Sequence, residues 1–161
     1  MQSEVDTSPK LARRLGRMLG AIVHSLDEVD FETRQRMMEL CGEACAIEDG
    51  DLDIAKKIGE TANNITEVVK RVNEELLWCG TWSQKGETIE SVCTKCGCPL
   101  VRNEVINRSE TWCYCSRGWV KRIFETALKK PLAVELKKSI GRGDGVCKFV
   151  VRIRKQGIRH V

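Results

Sequence analysis

Apolar residues recur every three or four positions through the first half of the chain. Leu11, Leu15, Met18, Leu19, Ile22, Val23 and Leu26 fall on one side of a helical wheel, which predicts an amphipathic helix over about residues 9–26. A second helix is expected over about residues 31–47, turning Phe31, Met37 or Met38, Cys41, Ala44 and Cys45 inward and stopping at the acidic break 48–51. A third reads as one long helix over about residues 53–76, because Ile54, Ile58, Ala62, Ile65, Val68, Val69, Val72 and Leu76 keep helical period throughout, with Asp51 or Asp53 as its N-cap. From Leu77 the pattern changes to alternation and turn residues, through Trp78, Thr81, Trp82 and Thr88 to Val92, which predicts short strands. Further on, Ser116 caps a helix with Trp119, Val120, Ile123, Phe124, Ala127 and Leu128 on one face, stopped at Lys129-Lys130-Pro131. The remainder reads as a hairpin: a strand over 132–140, a glycine-rich turn at 141–145 and a return strand over 146–153. These elements describe an α+β fold in a single domain over 1–161, with a helical part at 9–78, and a small antiparallel sheet and a C-terminal helix-hairpin at 79–161.

The length suits one domain with a core of its own, and the balance of 31% charged to 42% hydrophobic residues is that of an ordinary soluble chain. Nothing reads as a bilayer span. No apolar stretch follows the polar residues 1–10, and Arg13, Arg14 and Arg17 interrupt the first apolar positions, so a cytoplasmic protein without a membrane partner is expected. The net charge of +4 gathers at Lys129, Lys130, Lys137 and Lys138 and along 152–160. A solvated basic end explains that better than a nucleic-acid stripe, which usually raises a domain's pI above about 9.

Nine cysteines in a chain read as cytoplasmic change the picture, because thiols in a reducing compartment gain stability from metal instead of from disulfides. The run Cys93-Thr94-Lys95-Cys96-Gly97-Cys98-Pro99 has the spacing of a zinc half-site, and Cys113-Tyr114-Cys115 stands where the second half should be. The expectation is a cysteine-rich metal loop, with Cys93, Cys96, Cys113 and Cys115 closing a tetrahedral structural zinc site. Cys98 can replace Cys96 or Cys115 as a ligand, or sit free beside the site. Cys41 and Cys45, four residues apart on a helix, read equally as extra ligands or as small buried hydrophobes. The same thiolate set suits an iron-sulfur cluster. Cys79 and Cys147 are isolated and read as core. Asp49, Asp51, Asp53 and Glu60 imitate a calcium loop, but Ile54 stands where that loop requires glycine, so no calcium is expected.

The run Cys115-Ser116-Arg117-Gly118-Trp119, the strand Val134 to Ile140 and the return Gly143-Asp144-Gly145-Val146-Cys147-Lys148-Phe149-Val150-Val151 together resemble the C-terminal half of the 4-vinyl reductase, or hydrocarbon-binding, domain family over about a quarter of the chain. A looser similarity links the same segment to the aminothiazoline-carboxylate hydrolase-like family. The first resemblance implies an antiparallel sheet with helices, a hydrophobic ligand, a homodimer and zinc bound through cysteines. The chain departs from that family at Lys137, Lys138 and Ser139, where an acidic residue and a cysteine are usual.

Three functional readings follow. The leading one is a non-enzymatic sensing or binding domain whose pocket, walled by Trp119, Ile123, Phe124 and Leu128, takes a small hydrophobic or aromatic ligand. The second is a cysteine-dependent hydrolase or iron-sulfur redox enzyme, for which His24 and His160 are the available neutral-pH bases. The third is a zinc-dependent nucleic-acid binder using Lys95, Arg102, Arg108, Arg117, Lys121 and Arg122 beside Trp112, Tyr114 and Trp119.

Overall fold

The helical period of the N-terminal half becomes four helices where the pattern suggested three. A computed structural model describes residues 8–48, 50–76 and 80–154; the readings placed on Asp49, Leu77, Trp78, Cys79, His160 and the rest of 155–161 lie outside the described residues. Helix α1, Pro9–Ser25, starts at Ser8, whose hydroxyl accepts the Leu11 N–H at 3.2 Å. Helix α2, Phe31–Glu48, starts after Asp30, whose carboxylate accepts the Thr33 N–H at 3.0 Å.

The expected long helix is two. Helix α3 is Asp51–Thr61 and helix α4 is Ile65–Glu75. Asn64 leaves helical geometry and its side chain accepts the Glu67 N–H at 2.9 Å, while the Glu67 carboxylate accepts the Asn63 N–H at 2.9 Å. This reciprocal cap competes with helix continuation. The apolar period runs through the break because both helices bury their stripes in one core. Asp51 and Asp53 sit in the first turn of α3 and do not cap it; the residue before them is Gly50, in left-handed backbone at φ 76°.

Helix α2 turns a different face inward from the one its large residues suggest. Met38, Gly42 and Ala46 are buried, whereas Phe31, Met37, Cys41, Ala44 and Cys45 are exposed. Small residues make the seam. A Cβ on Gly42 would lie 1.8 Å from the Cys115 carbonyl oxygen, and one on Gly118 would lie 2.0 Å from that of Glu39. Beside this crossing the Arg117 guanidinium meets the buried Glu39 carboxylate at 2.9 Å.

Four strands form one antiparallel sheet in the order β1-β2-β4-β3: β1 Thr81–Lys85, β2 Thr88–Cys93, β3 Leu132–Lys138 and β4 Cys147–Ile153. Gly86 opens the two-residue β1-β2 turn at φ 58°. A short 3-10 turn, Ile140–Arg142, lies in the β3-β4 connection. Asn73 of α4 bonds both backbone groups of Trp82, donating to its carbonyl at 2.9 Å and accepting its N–H at 2.8 Å, so the edge strand β1 is partly covered.

A four-residue helix, α5 Pro99–Arg102, precedes the central helix α6, Glu110–Leu128. The latter begins six residues before the expected Ser116, because the Ser109 hydroxyl accepts the Trp112 N–H at 3.1 Å and caps it there. Val120, Ile123, Phe124 and Ala127 of α6 meet Trp82, Ile89, Leu132, Val134, Phe149 and Val151 of the sheet, and Ile58, Val68 and Val72 of α3 and α4 complete this core. Trp82 stands edge-on to Phe124 with ring centroids 4.8 Å apart. A second cluster gathers Val23, Leu26, Met38, Ile106, Trp112, Tyr114 and Cys115 under α1 and α2. The architecture is α+β.

Candidate functional site

The early start of α6 decides where its cysteines point. Residues two apart on a helix are separated by about 200° of rotation, so Cys113 and Cys115 leave the helix on opposite sides. Cys113 faces the 3-10 turn: a Cβ on Gly141 would lie 2.5 Å from its sulfur. Burial pushes this thiol above its ordinary value, partly offset by hydrogen bonds from the Ser139 hydroxyl and the Gly141 N–H. Cys147, expected in the core, is half-buried beside it and accepts the Ile140 N–H at 3.4 Å; burial raises its pKa as well. Cys115 turns toward α2, where a hydrogen bond with Cys45, together with burial, drives its pKa far up.

These placements overturn the expected metal site. Cys93 is disulfide-bonded, against the expectation that no cysteine would be, and Cys115 stands on the far side of α6 from Cys113. Cys41 and Cys45 are exposed on α2, and Cys98 is a free, half-buried thiol whose sulfur accepts the Trp112 indole N–H. Among the described residues no group of three or more histidines, cysteines or acids is placed to hold a metal ion. The zinc site of Cys93, Cys96, Cys113 and Cys115, its extension to Cys98, Cys41 and Cys45, and the iron-sulfur alternative are therefore corrected, and so is the cysteine-rich metal loop of the expected fold. The physical reason is helical geometry, since a C-x-C pair inside a helix cannot grip one ion as it can in a turn.

On the Cys115 side of α6 lies a cleft of about 270 Å³, bounded by the end of α2, the start of α3 and the segment 97–100. Trp112, Cys115, Ser116 and Trp119, spaced i, i+3, i+4 and i+7, form the α6 wall, with Pro99 and Leu100 opposite. Both indole N–H groups are committed inside the protein: Trp112 donates to the Cys98 sulfur at 3.3 Å, and Trp119 donates to the Asp51 carboxylate at 3.1 Å. The rings therefore offer hydrocarbon faces, with the Asp51 carboxylate, the Ser116 hydroxyl and the thiols of Cys45, Cys98 and Cys115 as the polar groups at hand.

Of the four expected pocket residues, Trp119 lines this cleft. Ile123 and Phe124 are fully buried against the sheet, and Leu128 is partly buried on the same core. As cleft residues Trp112, Cys115, Ser116, Cys98 and Asp51 were not expected: the two cysteines read as metal ligands, Trp112 as a stacking platform, and Ser116 and Asp51 as helix caps. The signal for the first three was the i, i+3, i+4, i+7 row, legible once the helix is started at Ser109.

The residues of the other two readings do not converge. The His24 side chain is 91% exposed, 3.8 Å from the Asp27 carboxylate, in a groove that contains no cysteine. Lys95, Arg102 and Arg108 border an open hollow together with Glu104 and Asp144, while Arg117 is paired with Glu39.

The sequence model of one family, described as "Family of unknown function (DUF6144)", matches residues 21–158. The chain belongs to this family. No curated protein matches the sequence. Among solved structures, the chain is similar to trafficking protein particle complex subunit 3 from Naegleria fowleri, crystallised covalently bound to palmitic acid, with a TM-score of 0.52 and 11% identity over 92% of this chain and 98% of that one. At such identity the likeness of this DUF6144 member is one of fold. Among its described residues no helix is long and apolar enough to cross a membrane.

Proposed function

We propose that this DUF6144 chain binds a hydrophobic small molecule, of acyl or aromatic character, in the cleft between α2, α3 and α6. The observation that carries the reading is the pair of indole rings, Trp112 and Trp119, whose N–H groups are already bonded within the protein and whose ring faces border an apolar space. The fold neighbour's covalent palmitic acid supports it. A cysteine nucleophile is less well supported: burial and the bond with Cys45 hold the Cys115 thiol protonated, and His24, the base in view, lies in a separate groove.

Thermal melts and native mass spectrometry with palmitic acid and a panel of small aromatics test this reading. A ligand at about a hundred times its Kd stabilises the wild type by about 2.7 kcal/mol. Ser116→Leu, which fills the cleft without emptying the core, and Trp119→Ala should each abolish the shift. Denaturing mass spectrometry distinguishes a thioester from a non-covalent complex. Absence of any shift and of any retained ligand mass across the panel would refute the proposal.

A further inference from the structure

Helix α1 is the least buried long helix of the molecule. Of its 17 residues, Gly16 and Val23 alone are buried. Leu15, Met18 and Ile22, at i, i+3 and i+7, form one row and are 47%, 54% and 53% exposed. Lys10, Arg14 and Arg17 form the adjoining row and Arg13 follows it; all four are exposed. The helix contains no acidic residue, and among the described residues none of the four cations is ion-paired. Elsewhere Arg34 pairs with Asp27, Arg36 with Glu43, Arg71 with Glu75, Arg117 with Glu39, Arg142 with Asp144 and Arg152 with Glu135, while Arg102, Arg108, Arg122 and Arg154 make no ion pair among the described residues but do not share a helix with an uncovered apolar row of this length. Unpaired charge and uncovered hydrocarbon thus coincide on one helix.

We propose that α1 docks the protein on the surface of an anionic lipid bilayer. Seventeen helical residues extend about 25 Å, enough to lie flat along the interface. The row Leu15, Met18 and Ile22 would enter the boundary between headgroups and acyl chains, and Lys10, Arg14 and Arg17 would reach the phosphates beside it with their stems along the apolar surface. Charge complementarity selects this occupant. A second copy placing α1 on α1 would oppose two rows of like charge with no acid between them, and a soluble polyanion would leave the apolar row in water. Asp27 and Glu104 border the groove on the Arg13 and Arg17 side, but Lys10 and Arg14 do not line it. The proposal departs from the expectation of no membrane partner without invoking a span, and it does not depend on the ligand cleft.

The test is flotation of the full chain with vesicles of phosphatidylcholine alone and of phosphatidylcholine mixed with phosphatidylserine. Binding is expected to the anionic vesicles only, weakening as salt is raised. Leu15→Ser/Met18→Ser/Ile22→Ser and Arg13→Glu/Arg14→Glu/Arg17→Glu should each lower the partition about tenfold or more, with circular dichroism unchanged because every altered side chain is exposed. Arg13→Lys/Arg14→Lys/Arg17→Lys should retain binding, and so should Trp119→Ala, which separates this surface from the cleft. The proposal is overturned if the wild type ignores the anionic vesicles, if the apolar triple variant still binds them, or if sedimentation shows a dimer that the apolar variant dissociates while vesicles are left unbound.

Discussion

A methyl group at Gly118 would stand 2.0 Å from the Glu39 carbonyl oxygen, inside a helix crossing that cannot open without moving backbone. Gly118→Ala is therefore expected to destabilise the protein by about 3 kcal/mol or more, read as a lower urea midpoint. At Gly20 of α1 an added methyl would have nothing within 4 Å, so Gly20→Ala should stabilise by up to about 1 kcal/mol through helix propensity alone. Equal effects of the two substitutions would show that close approach is not what requires glycine at 118. The same residues explain why α2 turns an unexpected face inward. Hydrophobic periodicity favours Phe31, Met37 or Met38, Cys41 and Cys45 as the inward face, and of these Met38 is buried, whereas the tightest seam is built on Gly42 and Ala46, which contribute almost nothing to such a pattern. Cys113 and Cys115 mislead for a related reason: their spacing suits one ion only outside a helix.

Among the elements, the outer face of the sheet carries the clearest electrostatic signature. Glu90 of β2 lies 3.0 Å from the Lys85 ammonium and 3.4 Å from that of Lys148, while Glu135 of β3 contacts both Lys137 and Arg152. The hydrogen bond from Lys85 leads in holding the Glu90 carboxyl below the ordinary glutamate value, and that from Lys137 does the same for Glu135. A carboxyl lowered in the folded state adds stability above its unfolded pKa of about 4.3 and loses it as pH falls through the folded value. Thermal melts should therefore show Tm dropping below about pH 4, with Glu90→Gln starting lower at neutral pH and falling less; an identical profile for the variant would remove these ion pairs from the account. The sheet's strands and the β3-β4 hairpin were legible from alternation and glycine turns. The break between α3 and α4 was not, because Asn63, Asn64 and Glu67 form their cap inside an uninterrupted apolar period.

At the scale of the whole molecule, stability is unevenly spread. α6 lies between the sheet and the helices α2, α3 and α4, whereas α1 rests on the body through Gly16 and Val23. Hydrogen exchange in the absence of vesicles should release the α1 amides well before those of 120–127 in α6; equal protection would mean that α1 is held far more firmly than its burial indicates. The sequence by itself determined the existence and type of most elements, the α+β class and the aromatic stripe of α6, because each depends on residues within a few turns or a single hairpin. Tertiary structure decided the rest. Which side of α6 receives Cys113 and which Cys115, that Trp119 borders a cleft while Phe124 fills the core, and that the apolar row of α1 stays uncovered all depend on how closely α2, the 97–106 segment and the 3-10 turn approach. Such approaches are set by contacts between residues far apart in the chain, and no local periodicity encodes them.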